Sequence, residues 1–229
     1  MNPVVTIGVW SALFVGTHLL ISSSMIRPRL VDRLGEQAFR GVYSLVAFAT
    51  FIPLIVVYAQ HKHCGPLVWY LRAIAPIRWL AWLMMLAALI FLVAGLLNPN
   101  PAAIGVPASR RVRGIQKVTR HPSFIAFTFF GLAHLLMNGW AGDVLFFGSF
   151  PALGVLGGLH HDSRKFHEIG EPYRRFVAET AFFPGLALFD SRQRWRSDDM
   201  PWLAIGIGIA ETVVLVMLHP KIFGGAPLG

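Results

Sequence analysis

Charge is scarce in this chain, and sulfur is scarcer. Only 14% of its 229 residues are Asp, Glu, Lys or Arg, against roughly 25% in soluble domains. Hydrophobic residues make up 55%, and the mean hydropathy is +0.59. Together these values exclude a soluble globular domain and leave an integral membrane protein. The single cysteine, Cys64, excludes an internal disulfide framework and any CxxC pair. Acids number 11 against 20 Lys and Arg, but the basic surplus does not argue for nucleic acid. The bases lie in loops bordering apolar runs, where membrane topology and anionic lipid account for them. There is no Gly-rich phosphate loop and no nucleophile elbow. The first apolar run lacks the basic flank and small-residue cleavage site of a secretory signal. A Ser- and Arg-rich transit segment is missing too, and the expected location is a bacterial inner membrane.

What remains is apolar and periodic. Spans are expected at about 3–23, 41–60, 77–97, 121–138, 143–159 and 202–218. This predicts an all-α fold, a polytopic integral membrane helical bundle of about six transmembrane helices forming one domain over 1–229. An amphipathic connector follows the first span. Trp69 and Tyr70 fit an interfacial belt, and Pro99 and Pro101 stop the third span. The loop from Asn98 to Arg120 is rich in Pro, Gly and Arg. The stretch A-F-F-P-G-L-A-L-F is too short to span and is expected in the interface. Connectors after the first, third and fifth spans carry four, five and seven Lys or Arg, sixteen of the twenty. By the positive-inside rule that side is cytoplasmic, so both termini face out.

The run from Arg120 to Gly139 holds most of the functional signal. His134 lies inside its apolar part, and an ionisable residue within a span is costly enough to suggest a function. Gly131 and Asn138 share its helical face at i−3 and i+4. A glycine there leaves room for a flat ligand, or alternatively serves helix–helix packing. His18 is the other histidine clearly within a span. Two imidazoles from different helices suit a bis-histidine haem, and a packed, hydrogen-bonded histidine is the simpler reading of each. Their expected depths differ by roughly 10 Å at 1.5 Å per residue, which leaves His121 open as a ligand in place of His18.

Arg120 and His121 stand at a helix N-terminus, where an anion is favoured, although a plain membrane anchor also explains them. His160, His161, Asp162 and Arg164, followed by His167, Glu168 and Glu171, could cap a site or bind metal, and read most simply as a solvated ramp after the fifth span. His61, His63 and Cys64 form a weak metal-ligand cluster. Glu211 is an acid inside a span and needs a partner or protonation.

Several motifs carry a resemblance. They are His18-Leu19-Leu20, R-L-G-E-Q-A-F-R-G-V-Y-S-L over 33–45, T-R-H-P over 119–122, L-A-H-L-L-M-N-G over 132–139 and D-V-L-F-F-G-S-F over 143–150. In these the chain resembles the NnrU family to about Trp195, with an extra helix at about 201–219. That family is similar to the 15-cis-zeta-carotene isomerases, membrane proteins that hold haem b. The resemblance implies haem b iron ligated by His18 and His134. The candidate cofactor-binding set is His18, His134, Gly131, Asn138, Arg120 and His121. The isomerases have a cysteine where this chain has Gly131. The implied activity is cis–trans isomerisation of a polyene such as zeta-carotene, or a haem role in denitrification and nitric-oxide metabolism. The expected partners are the bilayer, an apolar or lipid-like small molecule and an electron-transfer protein, with no nucleic acid.

R-H-P with G-E-P-Y-R-R-F and F-F-P also resembles the isoprenylcysteine-type membrane methyltransferases. That likeness implies an S-adenosylmethionine pocket lined by Arg120, His121, Tyr173 and Glu171. H-H-D-S over 160–163 stands where those enzymes show paired glutamates.

Overall fold

Asn2 starts the first helix, its side-chain oxygen accepting the Val4 N–H at 2.9 Å with a proline next in line. From there the computed structural model describes residues 2–100 and 111–225. The stretch 101–110, with Pro101 and Arg110 of the basic loop, lies outside the described residues. In chain order the helices are α1 (Pro3–Ile21), α2 (Arg27–Leu34), α3 (Glu36–Gln60), α4 (Ala75–Leu97) and α5 (Pro122–Met137). They continue with α6 (Ala141–Ile169), α7 (Glu171–Glu179), α8 (Leu186–Phe189) and α9 (Trp202–Phe223). The described residues contain no strand, only an isolated bridge between Leu67 and Trp140. The fold is all-α, as expected.

Helices α1, α3, α4, α6 and α9 are long and apolar enough to cross a membrane, which makes this a multi-pass membrane protein. The expected fourth span is the exception. Helix α5 has 16 residues, about 24 Å at 1.5 Å per residue, short of a hydrocarbon core of roughly 30 Å. It tolerates this because it lies between α4 and α6 and packs along both. Its last carbonyls also find donors inside the protein. Trp69 Nε1–H donates to the Leu135 oxygen at 2.8 Å, and the Asn138 amide donates to the His134 oxygen at 3.0 Å. Trp69 is half-buried, its N–H capping the helix end, and Tyr70 is exposed.

The helices stand side by side in the order α3, α1, α6, α5, α4, α9. Three boundaries differ from expectation, one of them that of α9, which runs five residues past Leu218 to Phe223. Helix α3 begins at Glu36, not near residue 41, and runs on through Pro53. Helix α6 continues past Leu159 to Ile169, so His160, His161, Asp162 and Arg164 are helical.

Why α6 extends is visible in its buried stripe, Gly142, Phe146, Phe150, Gly154, Gly158 and Asp162, which repeats every four residues. The glycines let α5 come close. A side chain at Gly154 would put its Cβ 2.6 Å from the Phe124 carbonyl oxygen, and one at Gly131 would lie 2.6 Å from that of Phe147. The aromatic core between α1, α3 and α6 is built from Ile7, Phe14, Leu54, Tyr58, Phe146, Phe147 and Phe150. The A-F-F-P-G-L-A-L-F stretch ends in the short α8; Ala181, Phe182 and Ala187 are buried, and Phe183 and Phe189 are exposed.

Candidate functional site

Two constructions share the end of the bundle where α1 and α5 meet the long α6. The first is a closed polar hub on Asp162, which is buried. Its carboxylate accepts from Arg120 Nε and Nη2 at 2.9 and 2.7 Å, from His121 Nε2 at 2.7 Å and from the Tyr173 hydroxyl at 2.6 Å. The segment entering α5 is strapped down beside it. Arg120 N–H donates to the Ala181 oxygen at 2.9 Å, and the Thr119 hydroxyl donates to the Phe182 oxygen at 2.6 Å. Tyr173 lies on α7, outside the spanning helices. Burial, and then the Asp162 carboxylate beside it, pushes its phenol well above the usual range, so it stays a proton donor.

This hub corrects the expectation of a solvated ramp at 160–164. It also gives Arg120, His121 and Tyr173 a common role, because all three hold Asp162 in place. Glu171 stays apart and pairs with Arg175 at 3.4 Å on the exposed side of α7. The signal that could have found Asp162 was the four-residue repeat of small and aromatic residues on α6.

The second construction is a cavity of about 600 Å³ walled by α1, α3, α5 and α6. Its walls are mainly aromatic, with Phe14, Phe51, Phe124 and Phe150 on the inner side. Phe48 on α3 and Phe127 on α5 also line it, and they are 60% and 40% exposed. Helices α3 and α5 scarcely touch, and these two exposed rings stand on the cavity side of each. His18, His160 and His161 line the cavity. The Nδ1 of His18 lies 2.7 Å from the Phe14 carbonyl oxygen. A carbonyl can only accept, so Nδ1 carries the proton and Nε2 keeps its lone pair. His160 Nε2 and His161 Nδ1 are buried without a hydrogen-bond partner.

Cations gather at the same cavity. Arg27, Arg40, Arg164 and Lys165 line it. Glu36 answers Arg27 at 2.8 Å and Arg40 at 3.2 Å. Glu168 answers Arg27 at 2.9 Å, Lys165 at 2.6 Å and Arg164 at 3.5 Å. Four cations against two carboxylates leave two positive charges over.

The remaining candidates lie elsewhere. His134 sits on the α5–α6 seam with its ring stacked on Phe147, centroids 4.5 Å apart at 20°. Its Nδ1 is 2.8 Å from the Phe130 oxygen, and it is not among the residues lining the cavity. Gly131 faces Phe147, Phe150 and Pro151 of α6, so it serves helix packing. Asn138 caps α5. At the other end of the bundle, buried Asp143 accepts from the Tyr58 hydroxyl at 2.9 Å and the His63 backbone N–H at 3.2 Å, and its Oδ2 lies 2.8 Å from His63 Nδ1. His63 is thereby drawn away from His61, whose Nδ1 lies 3.1 Å from the Val57 oxygen. Burial raises the Cys64 thiol. Among the described residues His121, His161 and Asp162 are the group whose ligand atoms come within 4.8 Å of one another.

The family model described as NnrU protein matches residues 7–227, the last helix included. The chain is similar to the chloroplastic 15-cis-zeta-carotene isomerase of Arabidopsis thaliana, 26% identical over 206 residues, which cover 84% of this chain and 54% of that protein. It is also similar to the chloroplastic 15-cis-zeta-carotene isomerase of Zea mays, 25% identical over 183 residues, covering 75% and 49%. The chain thus spans about half the length of the curated relatives it matches. No solved structure matches it.

Proposed function

Because this chain belongs to the NnrU protein family, we propose that it is a haem b-binding membrane protein that isomerises a polyene of the zeta-carotene type. The observation that carries the reading is the cavity. It has aromatic walls, imidazoles on its lining, surplus cations and two exposed rings among its walls. Its volume falls within the roughly 300–1,000 Å³ usual for small-molecule sites. Haem b is an apolar disc that carries two carboxylates and takes axial nitrogen ligands. The donors present fit that group, with His18 as one ligand and the basic residues holding the carboxylates. When bound, it supplies a redox-active Lewis acid in a low-dielectric site.

The chain's own residues do the rest. Phe48 and Phe127 admit an apolar molecule from the lipid side without drawing it through water. Phe14, Phe51 and Phe150 offer flat faces that hold a conjugated chain and exclude water. The hydrogen bond from His18 Nδ1 to the Phe14 oxygen fixes the imidazole's tautomer and orientation, as an outer hydrogen bond does for many metal ligands. The same reading puts the protein in a bacterial inner membrane with both termini outside. Its support for the orientation is six apolar helices, the short α5 counted with the five long ones, and the sixteen of twenty bases on one side.

The test uses a bacterial host that accumulates 15-cis-zeta-carotene and is supplied with haem. Chromatography of its pigments should show the 15-cis isomer depleted when the wild-type chain is expressed, and retained with His18→Ala. An unchanged isomer profile with abundant, haem-loaded wild-type protein would rule out the isomerase reading.

A further inference from the structure

We propose that the outer edge of α9 is an interface between two copies of this chain, with Glu211 of each copy meeting its counterpart near mid-membrane. The inference does not depend on what the aromatic cavity holds.

It starts from the acids carried by the five long apolar helices. Glu36 pairs with Arg27, Glu168 with Lys165 and Asp162 with Arg120, while Asp143 accepts from Tyr58 and His63. Glu211 is the exception, for it makes no hydrogen bond or ion pair with any described residue. It stands near the middle of α9, which runs from Trp202 to Phe223. An acid is most costly to leave alone at that depth.

Helix α9 is also the last in the row. It packs along α4 and scarcely touches another helix. Only 11% of its apolar stretch is buried, against 17–44% in the other four long spans. The face on α4 is marked by the buried Ala204 and Gly208, and a Cβ at Gly208 would lie 2.7 Å from the Ile90 side chain. Glu211 follows Gly208 by three residues and precedes Val214 by three, so it lies at the rim of that face, half-buried, with exposed residues beyond it. Along this edge Leu203, Ala210, Val214 and Leu218 are all exposed. With Ile207 they recur every three or four residues, the repeat by which one helix packs beside another. Ala210, next to Glu211, is small enough for close approach.

A second copy is the occupant that the membrane itself selects. Every copy is inserted in the same orientation, so two copies pair about an axis normal to the bilayer. Equal residues then face each other at equal depth. A side chain at such a contact must serve as its own partner. A carboxyl does so, because two of them share a proton, one donating and the other accepting.

The test uses the full-length chain, purified, labelled at its N-terminus with donor or acceptor dye and reconstituted together in phosphatidylcholine liposomes over a range of protein-to-lipid ratios. Energy transfer reads association. Glu211→Gln, whose amide also donates and accepts, is expected to associate within about twofold of wild type. Glu211→Leu is expected to associate about tenfold more weakly or worse. In a Cys64→Ser background, oxidation is expected to cross-link Val214→Cys but not Ile209→Cys, which is exposed on the other flank of α9.

Leucine at a lipid-facing rim leaves the fold intact, and an unchanged thermal midpoint checks this. If Glu211→Leu fails to fold, Val214→Trp decides, since it keeps the acid and blocks the contact; it is expected to lose the energy transfer. Any of three results overturns the proposal. They are a wild-type chain that stays monomeric at every ratio, association in the folded Glu211→Leu or Val214→Trp as strong as in wild type, and cross-linking at Ile209→Cys that equals that at Val214→Cys.

Discussion

At the scale of single residues, Asp162 matters most for stability. Four donor hydrogens from three side chains converge on it, and its removal strands the buried His121 and the half-buried Arg120. Breaking a buried ion pair from one side costs about 3–5 kcal/mol. Asp162→Ala should therefore lower the thermal midpoint in detergent sharply, and a midpoint within a degree of wild type would contradict the role given to the hub. Tyr173→Phe removes one hydrogen bond to a charged acceptor, about 1.5–3 kcal/mol. Its pH dependence has a definite sign. The folded-state pKa of Tyr173 is raised, so the stabilisation is fully present below the unfolded value of about 10. It is lost as pH climbs from there toward the raised value. The stability gap between wild type and Tyr173→Phe should be flat to about pH 9 and shrink above it.

None of this was legible from the local sequence H-H-D-S-R-K, which reads as a solvated helix end. The spacing back along α6 from Asp162 to Gly158 and Gly154 carries the information, because it puts the acid on the helix's inward face. His134 is the converse case. Its isolation in an apolar run marks it as unusual, but nothing in one helix's sequence reveals that Phe147 of the next helix covers its ring.

At the scale of elements, the α5–α6 seam sets the architecture. Glycine inside a helix ordinarily costs about 0.5–1 kcal/mol relative to alanine, so Gly154→Ala would gain by propensity alone. The Phe124 carbonyl oxygen 2.6 Å from the new Cβ reverses that sign. Forcing a methyl into close-packed backbone costs about 1–3 kcal/mol. Gly154→Ala should therefore destabilise the protein, while Gly148→Ala on the same helix, with nothing within 4 Å, should be neutral or slightly stabilising. Equal midpoints for the two variants would contradict the seam.

Element type and number were readable from hydropathy, since a span needs little more than a long apolar run. Boundaries were not. Helix α3 starts at Glu36, five residues before the expected 41, and α6 runs ten residues beyond Leu159, where Asp162 has buried partners. Those partners lie on other elements, out of reach of a local reading.

At the scale of the whole molecule, α3 and α5 scarcely touch, and the aromatic cavity lies against both, with α1 and α6. Haem b and an apolar polyene are the proposed occupants of that space, on the strength of its walls, donors and charge. Composition identified the membrane setting and the family motifs pointed to His18. The cavity itself depends on α1, α3, α5 and α6 meeting, which no single stretch of sequence records. The most direct test is an absorption spectrum of the detergent-purified, full-length chain from haem-supplied cells, first oxidised and then reduced with dithionite. The account predicts a Soret band with sharp reduced α and β peaks in wild-type protein, and their loss in His18→Ala. A wild-type spectrum without a Soret band would contradict it.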